Sequence, residues 1–197
     1  MIRFNTIYKK GLIKTYLPKE ILSDRVILRT IEEKYAQKIN DAIRESNLEL
    51  KKWVFWADPV PSIEETSYFC KQSYAKFESK TDLSMIIELK GSKYFVGCVG
   101  LHNFDIKGKN TYEVGYWGNL KYSGNGYMSE AVNALKEYAF KNLGAKKLYL
   151  TTDNKNIKSW RLAERCGFKL ESIEKNERIN SLGFNRDTRL YSISKTL

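Results

Sequence analysis

The chain has 197 residues, enough for one well-buried domain and too few for two of ordinary size. Its 42% hydrophobic and 29% charged residues are those of a globular protein; no apolar run reaches the roughly 18 residues of a membrane span, and the N-terminal stretch lacks a signal peptide's apolar core. The formal net charge of +11 comes from lysines spread along the chain, which fits a lysine-rich surface, a phosphate-bearing small ligand or a ribosomal setting better than direct nucleic-acid binding.

In chain order, residues 1–22 read as a lead-in to a domain over 23–197: an arm packed on that domain, or the remnant of a connection within a longer multidomain chain. RVILRT (25–30) is a β-rich run, and Thr30 with Glu33 has capping-box spacing for a helix through about residue 45. WVFWADPVP (53–61) is an aromatic loop, after which Ser62 and Glu65 form a second capping box for a helix carrying Phe69, Cys70, Tyr74 and Phe77. LSMIIEL (83–89), YFVGCVGLHNF (94–104) and TYEVGYW (111–117), parted by polar turns at KGSK and IKGKN, read as an antiparallel meander. A helix over Met128–Leu143 stops at Gly144, KKLYLTT (146–152) is a strand, and a helix over Asn156–Cys166 stops at Gly167. FKLESIEK and TRLYSISK close the chain as strands, giving a mixed α/β sheet. Cys70, Cys98 and Cys166 are widely spaced with no CxxC pair, and His102 is the lone histidine. That pattern fits buried reduced thiols in a cytoplasmic protein, with no metal site and no disulfide framework.

SGNGY (123–127) stands where a strand hands over to the helix. Amides at a helix N-terminus lack partners and carry the positive end of the dipole, so a phosphate suits them, and glycines clear its approach. Without GxxxxGK[ST] or a third glycine, neither a P-loop nor a dinucleotide fingerprint is present.

Lys121-Tyr122-Ser123-Gly124-Asn125-Gly126 resembles the acetyl-CoA pyrophosphate loop, Q/R-x-x-G-x-G/A, of the GNAT acetyltransferase superfamily. The YEVGYW strand before it and DNKNIKSWRLAERCGF after it are similar to that superfamily's RimJ/RimL-like branch, and the resemblance covers about residues 23 to 195. It implies a GNAT fold, with a mixed, mostly antiparallel sheet splayed at the cofactor site and flanked by helices. It implies an enzyme using acetyl-CoA in a ternary complex, its pyrophosphate meeting the amides of residues 121–126 and Tyr127 being a further cofactor-binding residue. A backbone amide near Tyr116 or Trp117 would polarise the acetyl carbonyl.

Two proton transfers must be served, one off the acceptor ammonium and one onto the leaving thiolate. For the second, the position that holds a tyrosine in many GNAT enzymes is Ala163 here. The branch instead uses a serine in N-x-x-S, matched by Asn156-Ile157-Lys158-Ser159, which makes Ser159 the implied donor to sulfur and Asn156 a cofactor contact or helix cap. For the first, the resemblance places a carboxylate at Glu113, acting directly or through a water, and His102 is a second candidate base.

On the acceptor side, Trp53, Trp56 and Phe69 are the candidates. Trp56 and Phe69 would form an aromatic slot for a planar ring, or else pack in the core. Three readings stand. The first is acetylation of the α-amine of a small aminoacyl- or peptidyl-nucleotide antibiotic, since the chain also resembles the acetyltransferase portion of microcin C self-immunity proteins, which confer self-protection. The second is acetylation of a ribosomal protein's N-terminal α-amine. The third, of another class, is a non-catalytic CoA-binding sensor.

Overall fold

The computed structural model describes residues 16–104, 110–179 and 185–195; the lead-in before residue 16 and most of the IKGKN turn lie outside them. The described residues open with a hairpin of β1 (Glu20–Leu22) and β2 (Val26–Thr30), so the end of the lead-in supplies an edge strand that the sequence did not signal, and Leu17 and Ile21 are buried. Thr30 caps nothing. It is the last residue of β2, and its hydroxyl donates to the Pro18 carbonyl while its amide pairs with Lys19. Its cross-strand bonds outcompete the local cap, so a 3₁₀ turn over Glu33–Tyr35 comes first and α1 runs later than expected, over Ala36–Leu50. The second capping box does form: Ser62 accepts from the Glu65 amide at 3.2 Å, and the Glu65 carboxylate accepts from the Ser62 amide at 2.7 Å, opening α2 (Ile63–Glu78).

The antiparallel meander is built by β3 (Leu83–Leu89), β4 (Phe95–His102) and β5 (Thr111–Gly118). The runs of β3 and β4 are almost wholly buried because helices cover both faces of the sheet. Next, α3 (Tyr127–Asn142) crosses over to β6 (Lys147–Asp153), which lies parallel to β5, and α4 (Ile157–Arg165) follows. Finally β7 (Lys169–Ile179) and β8 (Asn185–Ser194) form a hairpin, with β8 inserted between β6 and β7. The described residues form one sheet of eight strands in the order β1-β2-β3-β4-β5-β6-β8-β7, antiparallel except at β5–β6.

One face packs Leu28, Leu135, Ala139, Leu148 and Leu150 beneath α3 and α4; the other packs Ile39, Ile43, Cys70 and Ile86 beneath α1 and α2. Strands β5 and β6 pair only at Thr111–Glu113 against Lys147–Tyr149. Beyond those three residues they part, although β5 continues to Gly118 and β6 to Asp153. That splay opens the sheet between α3 and α4.

Candidate active site

A cavity of about 830 Å³ occupies the splay, with Gly124–Ser129 on one wall and Asn156, Ser159 and Arg161 on the other. The loop leading to α3 is set from a distance. Asn119 is buried, donates to Glu45 on α1 and accepts from the Lys121 amide at 2.9 Å. The Tyr122 and Ser123 amides return to the carbonyls of Asn119 and Leu120 in a 3₁₀ turn. The amides of 121–123 are therefore spent inside the turn, which corrects the expected pyrophosphate set. The amides of Gly124, Asn125 and Gly126 make no hydrogen bond among the described residues, and those of Tyr127–Ser129 are first-turn amides that a helix leaves open. Lys121 is not among the residues lining the cavity, and its ammonium lies 5.8 Å from the Tyr122 ring. Gly124 and Gly126 hold φ of +84° and +79°, left-handed values that a β-carbon disfavours, and a β-carbon on Gly124 would meet only open space. The glycines both turn the chain and leave room over free amides.

A second cavity, of about 720 Å³, lies on the α1/α2 side of the sheet and meets the first at Val54, Tyr116 and Trp117. Trp56 and Phe69 both line it and are nearly half exposed, and Trp56 stands edge-on to Trp117 at 5.6 Å. Trp53 is not brought to them; it lines the first cavity and its indole N–H donates to Glu49 at 3.4 Å. His102 lines the second cavity with its Nδ1 2.7 Å from Asp82. Glu113, opposite His102 in the β4–β5 register, is not among the lining residues: its carboxylate accepts from Asn103 at 2.6 Å and from Thr151 at 3.4 Å.

Residues 25–169 match the family model described as an acetyltransferase (GNAT) domain. The chain belongs to the GNAT acetyltransferase family. It is an N-acetyltransferase, and its acyl donor is acetyl-CoA. Among relatives, YdaF of Bacillus subtilis (strain 168), provisionally named a ribosomal N-acetyltransferase, is 26% identical over 175 residues, 88% of this chain and 93% of its own. A solved structure of the microcin C7 self-immunity acetyltransferase MccE in complex with acetyl-CoA and AMP superposes with a TM-score of 0.80 at 26% identity, covering 87% of this chain and 93% of that one. The ribosomal L7/L12 α-N-protein acetyltransferase RimL, in complex with coenzyme A, reaches a TM-score of 0.83 at 19% identity over 89% of this chain and 97% of that one, a likeness of fold.

In this GNAT domain the helix after the splay carries the expected N-x-x-S pair. Asn156 is the N-cap of α4, its side chain accepting from the Ser159 amide at 3.2 Å, and both residues line the first cavity. The Ser159 hydroxyl lies 3.1 Å from the Tyr116 hydroxyl, which also donates to the Ser159 carbonyl at 3.0 Å. Burial pushes the Tyr116 hydroxyl up to about 12 despite the Ser159 hydrogen bond, so it stays a neutral donor at working pH. Ala163 is fully buried and holds no reactive group. No motif in the sequence points to the Tyr116 hydroxyl or to Asp82. Strand alternation along YEVGYW was a signal that the Tyr116 ring shares the α3/α4 face with Tyr112 and Val114. Burial raises the thiols of Cys70, to about 11, and of Cys98 well above the usual range, which leaves them un-ionised and poor nucleophiles. The positive charge is unevenly used: Lys158, Arg161 and Arg165 line the first cavity, whereas no described lysine or arginine lines the second. Among the described residues no cluster could hold a metal, and no helix is long and apolar enough to cross a membrane.

Proposed function

We propose that this GNAT enzyme acetylates the α-amine of a small acceptor bearing a planar ring, of the aminoacyl- or peptidyl-nucleotide class, in antibiotic detoxification or self-immunity. The observation that carries this reading is the pair Trp56 and Phe69, large aromatic rings left nearly half exposed inside a cavity that opens on the cofactor cleft. The likeness to MccE, whose structure holds acetyl-CoA and AMP, supports it. On the donor side, the pyrophosphate rests on the amides of Gly124–Gly126 and the first turn of α3. The basic side chains of Lys158, Arg161 and Arg165 neutralise its phosphates. The thioester carbonyl sits by the backbone of Tyr116 and Trp117, and Ser159, hydrogen-bonded to Tyr116, gives a proton to the departing sulfur.

A second reading, the N-terminal α-amine of a ribosomal protein, is favoured by the acidic rim of the second cavity. Asp58 and Glu65 line it with no lysine or arginine among the described lining residues, which suits a peptide ammonium better than a phosphate. The name borne by YdaF points the same way. Thiol release from acetyl-CoA separates the two when a non-hydrolysable aminoacyl adenylate analogue and a peptide with a free N-terminal serine are offered side by side. Preference for the adenylate supports the first reading, and preference for the peptide replaces it with the second.

A further inference from the structure

His102 is placed with unusual care for a residue that only packs. The β3–β4 register pairs Leu83 with Leu101, so one step outward Asp82 meets His102, and the carboxylate lies 2.7 Å from Nδ1. A carboxylate only accepts hydrogen bonds, so Nδ1 carries the proton and Nε2 of the neutral ring keeps its lone pair. The ring lies over two glycines. A β-carbon on Gly115 would stand 2.8 Å from Nε2, and one on Gly100 would stand 2.8 Å from Cε1. Gly100, Gly115 and His102 all line the second cavity. Bare backbone thus gives the imidazole a seat on the sheet, and Asp82 fixes its tautomer.

We propose that His102 and Asp82 form the proton-accepting dyad of this acetyltransferase, with His102 Nε2 as the base for the acceptor ammonium and Asp82 as its positioning residue. This rests on the second cavity being the acceptor's. Nε2 takes one proton from the ammonium, and the freed amine lone pair forms the N–C bond to the thioester carbon. The C–S bond breaks, the thiolate gains a proton, the acetylated nitrogen loses its surplus one, and the net proton leaves His102 for solvent. The charged groups facing the ring are Asp82 from the start of β3 and Glu113 from β5, with Asp58 and Glu65 across the cavity. All four are acidic, and no described lysine or arginine lines that cavity. Glu113 is the weaker base candidate because Asn103 and Thr151 occupy its oxygens.

The test uses His102→Gln and Asp82→Asn with both acceptors named above, together with ¹⁵N spectra of the wild-type imidazole, which gives a single set of signals because the chain has one histidine. The expected result at neutral pH is a fall in kcat of about 100-fold for H102Q, the low end for a lost general base. D82N shows a smaller fall, the double variant is no worse than H102Q, and acetyl-CoA affinity is unchanged. The deficit shrinks as pH rises past the acceptor amine's own pKa, about 8 for an α-amine, a rescue that a merely structural role would not produce. The neutral ring shows its proton on Nδ1 in the wild type. Turnover of H102Q within twofold of wild type, or a neutral ring protonated on Nε2, overturns the dyad. Preference for the peptide overturns the adenylate reading and leaves the dyad standing; the ¹⁵N spectra need no acceptor and decide the matter if either variant fails to fold.

Discussion

The two cavities are made of different materials. The first cavity, the proposed donor site, rests on backbone at its glycine wall, with free amides of Gly124–Gly126, the open first turn of α3 and a cap on α4, and Lys158, Arg161 and Arg165 stand beside them. The second cavity, the proposed acceptor site, is built largely from side chains brought from α1, the 53–61 loop, α2, β3, β4 and β5. A backbone site recognises what every acetyl-CoA shares, and a side-chain site can be changed one residue at a time without disturbing the other. The contrast therefore predicts that lesions separate cleanly into donor and acceptor effects.

Gly124→Val should break the donor side most severely. A β-branched residue at φ of +84° costs about 1–2 kcal/mol in backbone strain alone, and its side chain fills the space above the free amides. Acetyl-CoA affinity measured by calorimetry should fall by at least tenfold, about 1.4 kcal/mol, while circular dichroism stays that of the folded chain. Retained affinity would show that the loop is no phosphate cradle. Ser159→Ala should lower kcat roughly tenfold with acetyl-CoA Kd within about twofold, as expected for losing a hydrogen bond worth about 1 kcal/mol plus its proton. Tyr116→Phe should act through the same pair, so the double variant should lose less than the product of the two.

On the acceptor side, Trp56→Ala should raise acceptor KM about three- to tenfold, matching a ring contact worth about 0.5–1.5 kcal/mol, and leave acetyl-CoA binding intact. An equal loss of cofactor affinity would mean that the two cavities are not independent.

The smallest effect concerns the frame of the donor loop. Glu130, in the first turn of α3, accepts from the Arg25 amide at 2.6 Å, the Arg25 guanidinium at 2.7 Å and the Val26 amide at 3.2 Å. Burial pushes the Glu130 carboxyl up, but the Arg25 backbone and side-chain hydrogen bonds outweigh it and hold it below the usual carboxylate value. A lowered folded-state value means the carboxylate adds stability above its unfolded pKa, and that stability is lost as pH falls through the folded one. Glu130→Gln should therefore lower Tm by a few degrees at pH 7, and the gap to wild type should narrow as pH falls below the ordinary carboxylate range, as followed by thermal melts. A gap that persists in acid would assign Glu130 a packing role instead.

Much of the donor side was legible. Gly-x-Gly before an amphipathic helix, Asn156 three residues before Ser159, and stops at Gly144 and Gly167 are short-range signals, and the structure realises each as backbone geometry. Expectation and structure part where a contact outside the expected pattern won. Thr30 turned to Pro18 instead of capping, and the Lys121 amide turned to Asn119, itself held by Glu45 seventy-four residues away. Trp53, three residues before Trp56, ended on the other cavity because a 3₁₀ turn over Phe55–Ala57 parts them.

By itself the sequence determined the order of elements from β2 onward, the glycine-bearing loop and the capped helix after the splay, because each depends on residues within a turn or two of one another. Tertiary structure alone decided that Asp82 meets His102 across twenty residues, that Tyr116 meets Ser159 across forty-three, and that Glu113 is engaged by Asn103 and Thr151. Those meetings follow from strand register and helix placement, which the burial of two hydrophobic faces sets for the whole sheet at once, and no local pattern of residues contains that sum.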